Sequence, residues 1–93
     1  MQQLSDLDLA RELKNLPGWE HEGTSICRWF DRSTFKGAIA FVNTVAEIAE
    51  RAQHHPDIDL RYSKVRLSLT THDAGGLTDL DVRVARQITA AAE

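Results

Sequence analysis

Two of the chain's four histidines are adjacent, in the stretch Glu50-Arg51-Ala52-Gln53-His54-His55-Pro56, which holds its densest set of groups suited to moving a proton near neutral pH. Pro56 disfavours the α conformation at the residue before it, so a helix arriving from the N-terminal side is expected to end at His54 and His55 and to present both rings at an exposed edge. That edge is also where a helix dipole attracts positive charge. Glu50 precedes His54 by four residues, one helical turn, and its carboxylate is expected to hold a ring nitrogen of His54.

His72 is a third candidate. The preceding residues alternate as a strand up to Thr71, so His72 should project from the strand end into Asp73-Ala74-Gly75-Gly76, where paired glycines leave room for a ligand. His21 stands among acidic neighbours and reads as a solvated strand residue. Three imidazoles around an open position would suit a catalytic zinc, but neighbours in sequence diverge on a helix, so no metal site is expected. No serine or cysteine occupies a nucleophile-elbow or helix-start setting. Imidazoles with supporting carboxylates suit general acid–base chemistry better.

The composition bounds the function classes. Ninety-three residues make a single domain, spanning 1–93, with a modest core that oligomerisation would help to stabilise. At 42% hydrophobic and 27% charged the chain is ordinary globular material. A net charge of −3 and a pI near 5.7 argue against direct nucleic-acid binding, which needs a basic surface. The single cysteine, Cys27, permits no internal disulfide and reads as packing. No apolar run reaches membrane-spanning length and no signal-peptide pattern opens the chain, so a cytoplasmic location is expected.

The elements that must position these residues follow from periodicity. Leu4-Ser5-Asp6 starts a helix capped by Ser5 and running to about Asn15, ended by Pro17-Gly18. Trp19–Glu22 and Ser25–Phe30 flank Gly23-Thr24 as a hairpin, with Trp19 and Trp29 as its large apolar anchors. From Ser33 to about Gln53 the pattern is helical, with Phe35, Ala38, Ile39, Val42, Val45, Ala46, Ala49 and Ala52 on the apolar side. Gly37 either allows a close backbone approach or is simply tolerated, and Glu47, Glu50 and His54 share one flank, as a pocket rim or a solvated charged face. A second hairpin joins Ile58–Tyr62 to Val65–Thr71 through Ser63-Lys64. Thr78 then caps a last helix, with Asp81 at the third position of a capping-box arrangement and Leu80, Val84 and Ile88 as its buried stripe.

Glu50, three residues, His54-His55-Pro56, five residues, Tyr62, nine residues, His72, eight residues, Asp81: this spacing resembles the signature of the pterin-4a-carbinolamine dehydratases, and the element order resembles that family over nearly the whole chain. The resemblance implies an α+β fold of order α-β-β-α-β-β-α, a four-stranded antiparallel sheet with three helices packed on one face. It also implies dehydration of a 4a-hydroxytetrahydropterin to quinonoid dihydropterin, the recycling step after aromatic amino-acid hydroxylation, with no metal or organic cofactor. On the matching positions His54 and His72 would be the acid and base and His55 would chiefly bind and orient the pterin. Glu50 would orient His54, and Asp81 would steady the site or simply cap its helix. Trp19 and Tyr62 are possible substrate contacts. Family members assemble as homodimers or homotetramers. Animal members also dimerise with a homeodomain transcription factor, and degenerate relatives act as assembly chaperones, so the alternative is a non-catalytic binding or assembly module.

Overall fold

The three helices and two hairpins follow from local signals, and the computed structural model describes residues 1–93. Helix α1 (Asp6–Leu13) opens where Ser5 Oγ accepts the Asp8 N–H at 3.1 Å. Strands β1 (Glu20–Glu22) and β2 (Ser25–Asp31) form the first hairpin around Gly23-Thr24. Helix α2 (Phe35–Ala52) leads to the second, β3 (Asp57–Arg61) and β4 (Lys64–Leu69), and helix α3 (Asp79–Ala92) closes the chain. The sheet is antiparallel throughout in the order β1-β2-β4-β3, which puts the C-terminal end of β4 at its centre. The expected order α-β-β-α-β-β-α and fold class are those observed.

The register decides which strand residues are covered. Ile26 pairs with Leu69 and Phe30 with Val65, so these side chains share the sheet face that meets Leu9, Phe41, Val45, Val82, Ala85 and Ile88 of the helices. Trp29 falls between Arg28 and Phe30 and therefore points to the open face, 49% exposed. It is not the buried anchor expected, whereas Trp19 is, with its indole N–H donating to Thr89 Oγ1 at 2.9 Å. On that open face Arg66 donates to Glu22 at 2.9 Å and Arg61 to Asp59 at 2.8 Å, and these hydrogen bonds hold both guanidiniums above their ordinary pKa.

The fully buried stripe of α2 is Ala38, Phe41, Val45 and Ala49, three of them expected, with Val42 and Ala52 partly buried beside it. Phe41 was not foreseen in it; it packs 4.9 Å from Phe30 between ring centroids. Phe35 and Ile39 are instead exposed. Tyr62 is not on a strand: Arg61 pairs with Lys64, so the turn is Tyr62-Ser63, and Tyr62 has φ +54 and stacks on Phe35 at 6.5 Å. Leu80 of α3 is partly buried against the core, while Val82 and Ala85 join Val84 and Ile88 in the fully buried stripe.

Gly37 has the close backbone approach its sequence position suggested. Thr34 caps α2 by accepting the Gly37 N–H, and a Cβ at position 37 would lie 2.6 Å from the Arg32 carbonyl oxygen. Gly37→Ala is expected to lower stability by about 1–3 kcal/mol, the cost of forcing atoms into filled space, despite alanine's better helix propensity. Denaturant unfolding of both proteins measures the difference, and equal or greater stability in the variant would contradict this packing.

Candidate active site

The end of α2 is set by Gln53, which takes a left-handed conformation with φ 53° and ψ 42°. Its N–H bonds back to the carbonyls of Ala49 and Glu50, its side-chain amide donates to the Glu50 carbonyl at 2.8 Å, and the His54 N–H reaches Ala49 O at 3.1 Å. This is a left-handed helix stop of the kind usually made by glycine. The helical rule that places residues four apart on one side lapses once the chain leaves the helix, so Glu50 does not meet His54 as expected. Glu50 Oε2 instead accepts from His55 Nε2 at 2.5 Å, and His54 Nε2 donates to Asp81 Oδ1 at 2.5 Å.

The two adjacent imidazoles thus have separate carboxylates in different surroundings. The His54 side chain is 11% exposed and its partner Asp81 is fully buried; the His55 and Glu50 side chains are 58% and 73% exposed. Only His55 occupies the open edge anticipated for both. A carboxylate oxygen accepts and does not donate, so the His54 proton in this contact is on Nε2 and Nδ1 is the nitrogen left to exchange a proton.

Asp81 caps its helix, as one reading of the sequence had it, and also contacts His54. Its Oδ2 accepts the Thr78 N–H at 2.9 Å, completing the capping box at the start of α3, while Oδ1 takes the histidine. Thr71 adds a third donor, its Oγ1 to Asp81 Oδ2 at 2.7 Å. A buried carboxylate is costly unless its lone pairs are used, and here both oxygens are engaged.

His72 arrives from the other direction. Beyond β4, Thr71 bridges to Gly76, and His72–Ala74 forms a 3-10 turn closed by Gly75 at φ 74°. The space over the two glycines is taken by this chain's own N-terminal segment: Gln3 Nε2 donates to Ala74 O at 2.7 Å and Leu4 N–H to Leu77 O at 2.8 Å. A Cβ on Gly76 would lie 3.0 Å from Gln3 Oε1, so the room foreseen for a ligand belongs to Gln3.

His54, His55 and His72 line one cleft of about 280 Å³ together with Gln53, Thr70, Thr71 and Asp73. The two distant segments therefore meet. Larger hollows lie between α2 and α3 beside Ile48 and Gln87, and on the open sheet face beside Trp29 and Lys64, but neither is lined by a histidine. The histidine cleft has no hydrophobic lining residue, which suits a polar, hydrogen-bonding guest. No three His, Cys, Asp or Glu side chains converge in the manner a metal ion requires.

Trp19 and Tyr62 do not line this cleft. Trp19 is bound up with α3 through Thr89, and Tyr62 sits at the opposite end of β4 from His72. Thr70, Thr71, Gln53 and Asp73 are the lining residues that sequence reasoning did not assign. Gln53, Thr71 and Asp73 each carried one signal, a place adjoining a candidate histidine.

The sequence model of the family described as pterin 4 alpha carbinolamine dehydratase matches residues 2–91. A protein of Thermomicrobium roseum bearing the provisional name pterin-4-alpha-carbinolamine dehydratase is 49% identical over 88 residues, 95% of each chain. One of the same provisional name from Chloroflexus aurantiacus is 52% identical over 88 residues, again 95% of each. The crystal structure of a transcriptional coactivator/pterin dehydratase from Brucella melitensis superposes with a TM-score of 0.94 at 32% identity, covering 99% of this chain and 100% of that one. A pterin dehydratase-like RuBisCO assembly factor of the alpha-carboxysome shares the fold, with a TM-score of 0.69 at 20% identity over 81% of this chain and 89% of that one. With nearly all of its length matched, the chain belongs to the pterin-4a-carbinolamine dehydratase family.

Proposed function

We propose that the histidine cleft dehydrates a 4a-hydroxytetrahydropterin to quinonoid dihydropterin and water, serving pterin recycling beside an aromatic amino-acid hydroxylase. The observation that carries this reading is the meeting of His54, His55 and His72 around one polar cleft, with a buried carboxylate behind His54. In the reaction the C4a–O bond breaks, the departing oxygen takes a proton to leave as water, and the neighbouring ring nitrogen loses its proton as its electron pair forms the new C=N bond. The atoms balance with one acid and one base. His54, exchanging through Nδ1, and His72, on its exposed turn, fill these two roles. His55, held by Glu50 at the mouth, binds and orients the polar edge of the pterin. Neither step draws on a metal or an organic cofactor.

Self-association into a homodimer or homotetramer belongs to the same reading. The sheet has two edges, and β3, with five residues and an exposed Ile58, offers a longer one than the three-residue β1. The alternative, a binding or assembly module on this fold, draws support from the Brucella melitensis relative, described as a coactivator as well as a dehydratase. The three histidines favour the enzyme, because a scaffold has no use for carboxylate-backed imidazoles around a cleft. Stopped-flow decay of the hydroxypterin separates the readings: unaltered decay at micromolar protein would overturn the enzyme.

His54→Ala and His72→Ala are each expected to lower kcat on the order of 10²–10⁴-fold with smaller effects on KM, as for loss of one proton-transfer group. His55→Ala is expected chiefly to raise KM. Steady-state kinetics of the three variants test this assignment, which uniform and negligible effects would refute. Exhaustive treatment with a chelator is expected to leave turnover unchanged; inhibition reversed by zinc would restore the metal alternative.

A further inference from the structure

Thr71 joins the two arms of the cleft. Its backbone immediately precedes His72 and pairs with Gly76, which anchors the turn carrying that ring. Its hydroxyl reaches the other arm, 2.7 Å from Asp81 Oδ2 and 2.9 Å from Thr78 Oγ1. Asp81 in turn holds His54.

Directions follow from the inventory of donors. The carboxylate can only accept, so the one Thr71 hydroxyl proton goes to Asp81; Thr78 must then donate its own proton to Thr71. Thr78 Oγ1 accepts in its turn from the Leu80 N–H at 3.3 Å. The result is a one-way chain from the first turn of α3 through two hydroxyls to Asp81, in which each bond polarises the next. Thr71 and the Thr78 N–H together occupy Oδ2, which turns Oδ1 toward the Nε2–H of His54.

We propose that Thr71 is a positioning residue: through Asp81 it fixes the orientation of His54 and the strength of its hydrogen bond, and through the backbone it sets His72 against it. Nothing marks this role in the spacing of the histidines. The catalytic consequence rests on the dehydratase reading, but the effect on His54 does not.

Thr71→Val keeps the size and branching and removes the hydroxyl; Thr71→Ser restores it. Removing one hydrogen bond to a charged group is expected to lower kcat of the valine variant roughly 10-fold or more, with KM changed by less than about twofold. Long-range ¹H–¹⁵N spectra of the substrate-free protein are expected to show His54 protonated on Nε2 in the wild type and a displaced Nε2 resonance in the valine variant, whose Asp81 has lost one donor and draws more strongly on the His54 proton. Serine should recover both kcat and the wild-type spectrum. An unchanged His54 spectrum in folded Thr71→Val, or equal impairment of the serine and valine variants, would overturn the proposal. If valine is too damaging to fold, a serine variant whose spectrum departs from the wild type would overturn it, and one that keeps the spectrum would support it. A wild-type protein without dehydratase activity whose His54 spectrum still responds to Thr71→Val would uphold the positioning role and reject the dehydratase.

Discussion

A buried carboxylate governs this structure. Asp81 has no solvent to share its charge, so it is tolerable only because donors from three places converge on it: the capping backbone of Thr78, the hydroxyl of Thr71 and the ring of His54. Those donors belong to the start of α3, the end of the central strand and the segment just past α2. Satisfying one side chain therefore brings the three segments to a common point, and the cleft is the hollow beside that point. One residue thus caps a helix and holds a histidine of the cleft.

The two neighbouring imidazoles show how local backbone geometry divides labour. The same dipeptide on a continuing helix would have splayed its rings about 100° apart around the axis, with His54 above Glu50. The left-handed turn at Gln53 sends His54 inward to Asp81 and leaves His55 to fold back on Glu50. Adjacent residues of identical chemistry thereby acquire different depths, different partners and different exposure.

Much of this was legible in the sequence, and the gaps share a cause. Element order, the Thr78 capping box, the Ser5 cap and the close approach at Gly37 are local in nature, fixed by residues within a turn or so of each other, and they could be read directly. The histidine constellation was legible as a spacing. What could not be read was anything dependent on where the chain leaves a regular element. Gln53 rather than a glycine ends α2, so the Glu50–His54 pairing failed. The second hairpin turns one residue earlier than expected, so Tyr62 left its strand. Trp29 is as apolar as Trp19 but stands on the other side of the pleat. The donor chain through Thr71 spans a loop, and no periodicity connects its ends.

The unequal exposure of the two histidine–carboxylate contacts also makes their carboxylates unequal toward dissolved ions. Between ~0.01 M and ~1 M salt the screening distance falls from roughly 30 Å to 3 Å, which weakens attraction between exposed charges and leaves enclosed ones largely untouched. The pairing of Glu50 with His55 lies open to that screening, and the pairing of Asp81 with His54 is sheltered from it. Electrolyte thus acts on the mouth of the cleft, where Glu50 and His55 lie open, and spares the enclosed contact behind it.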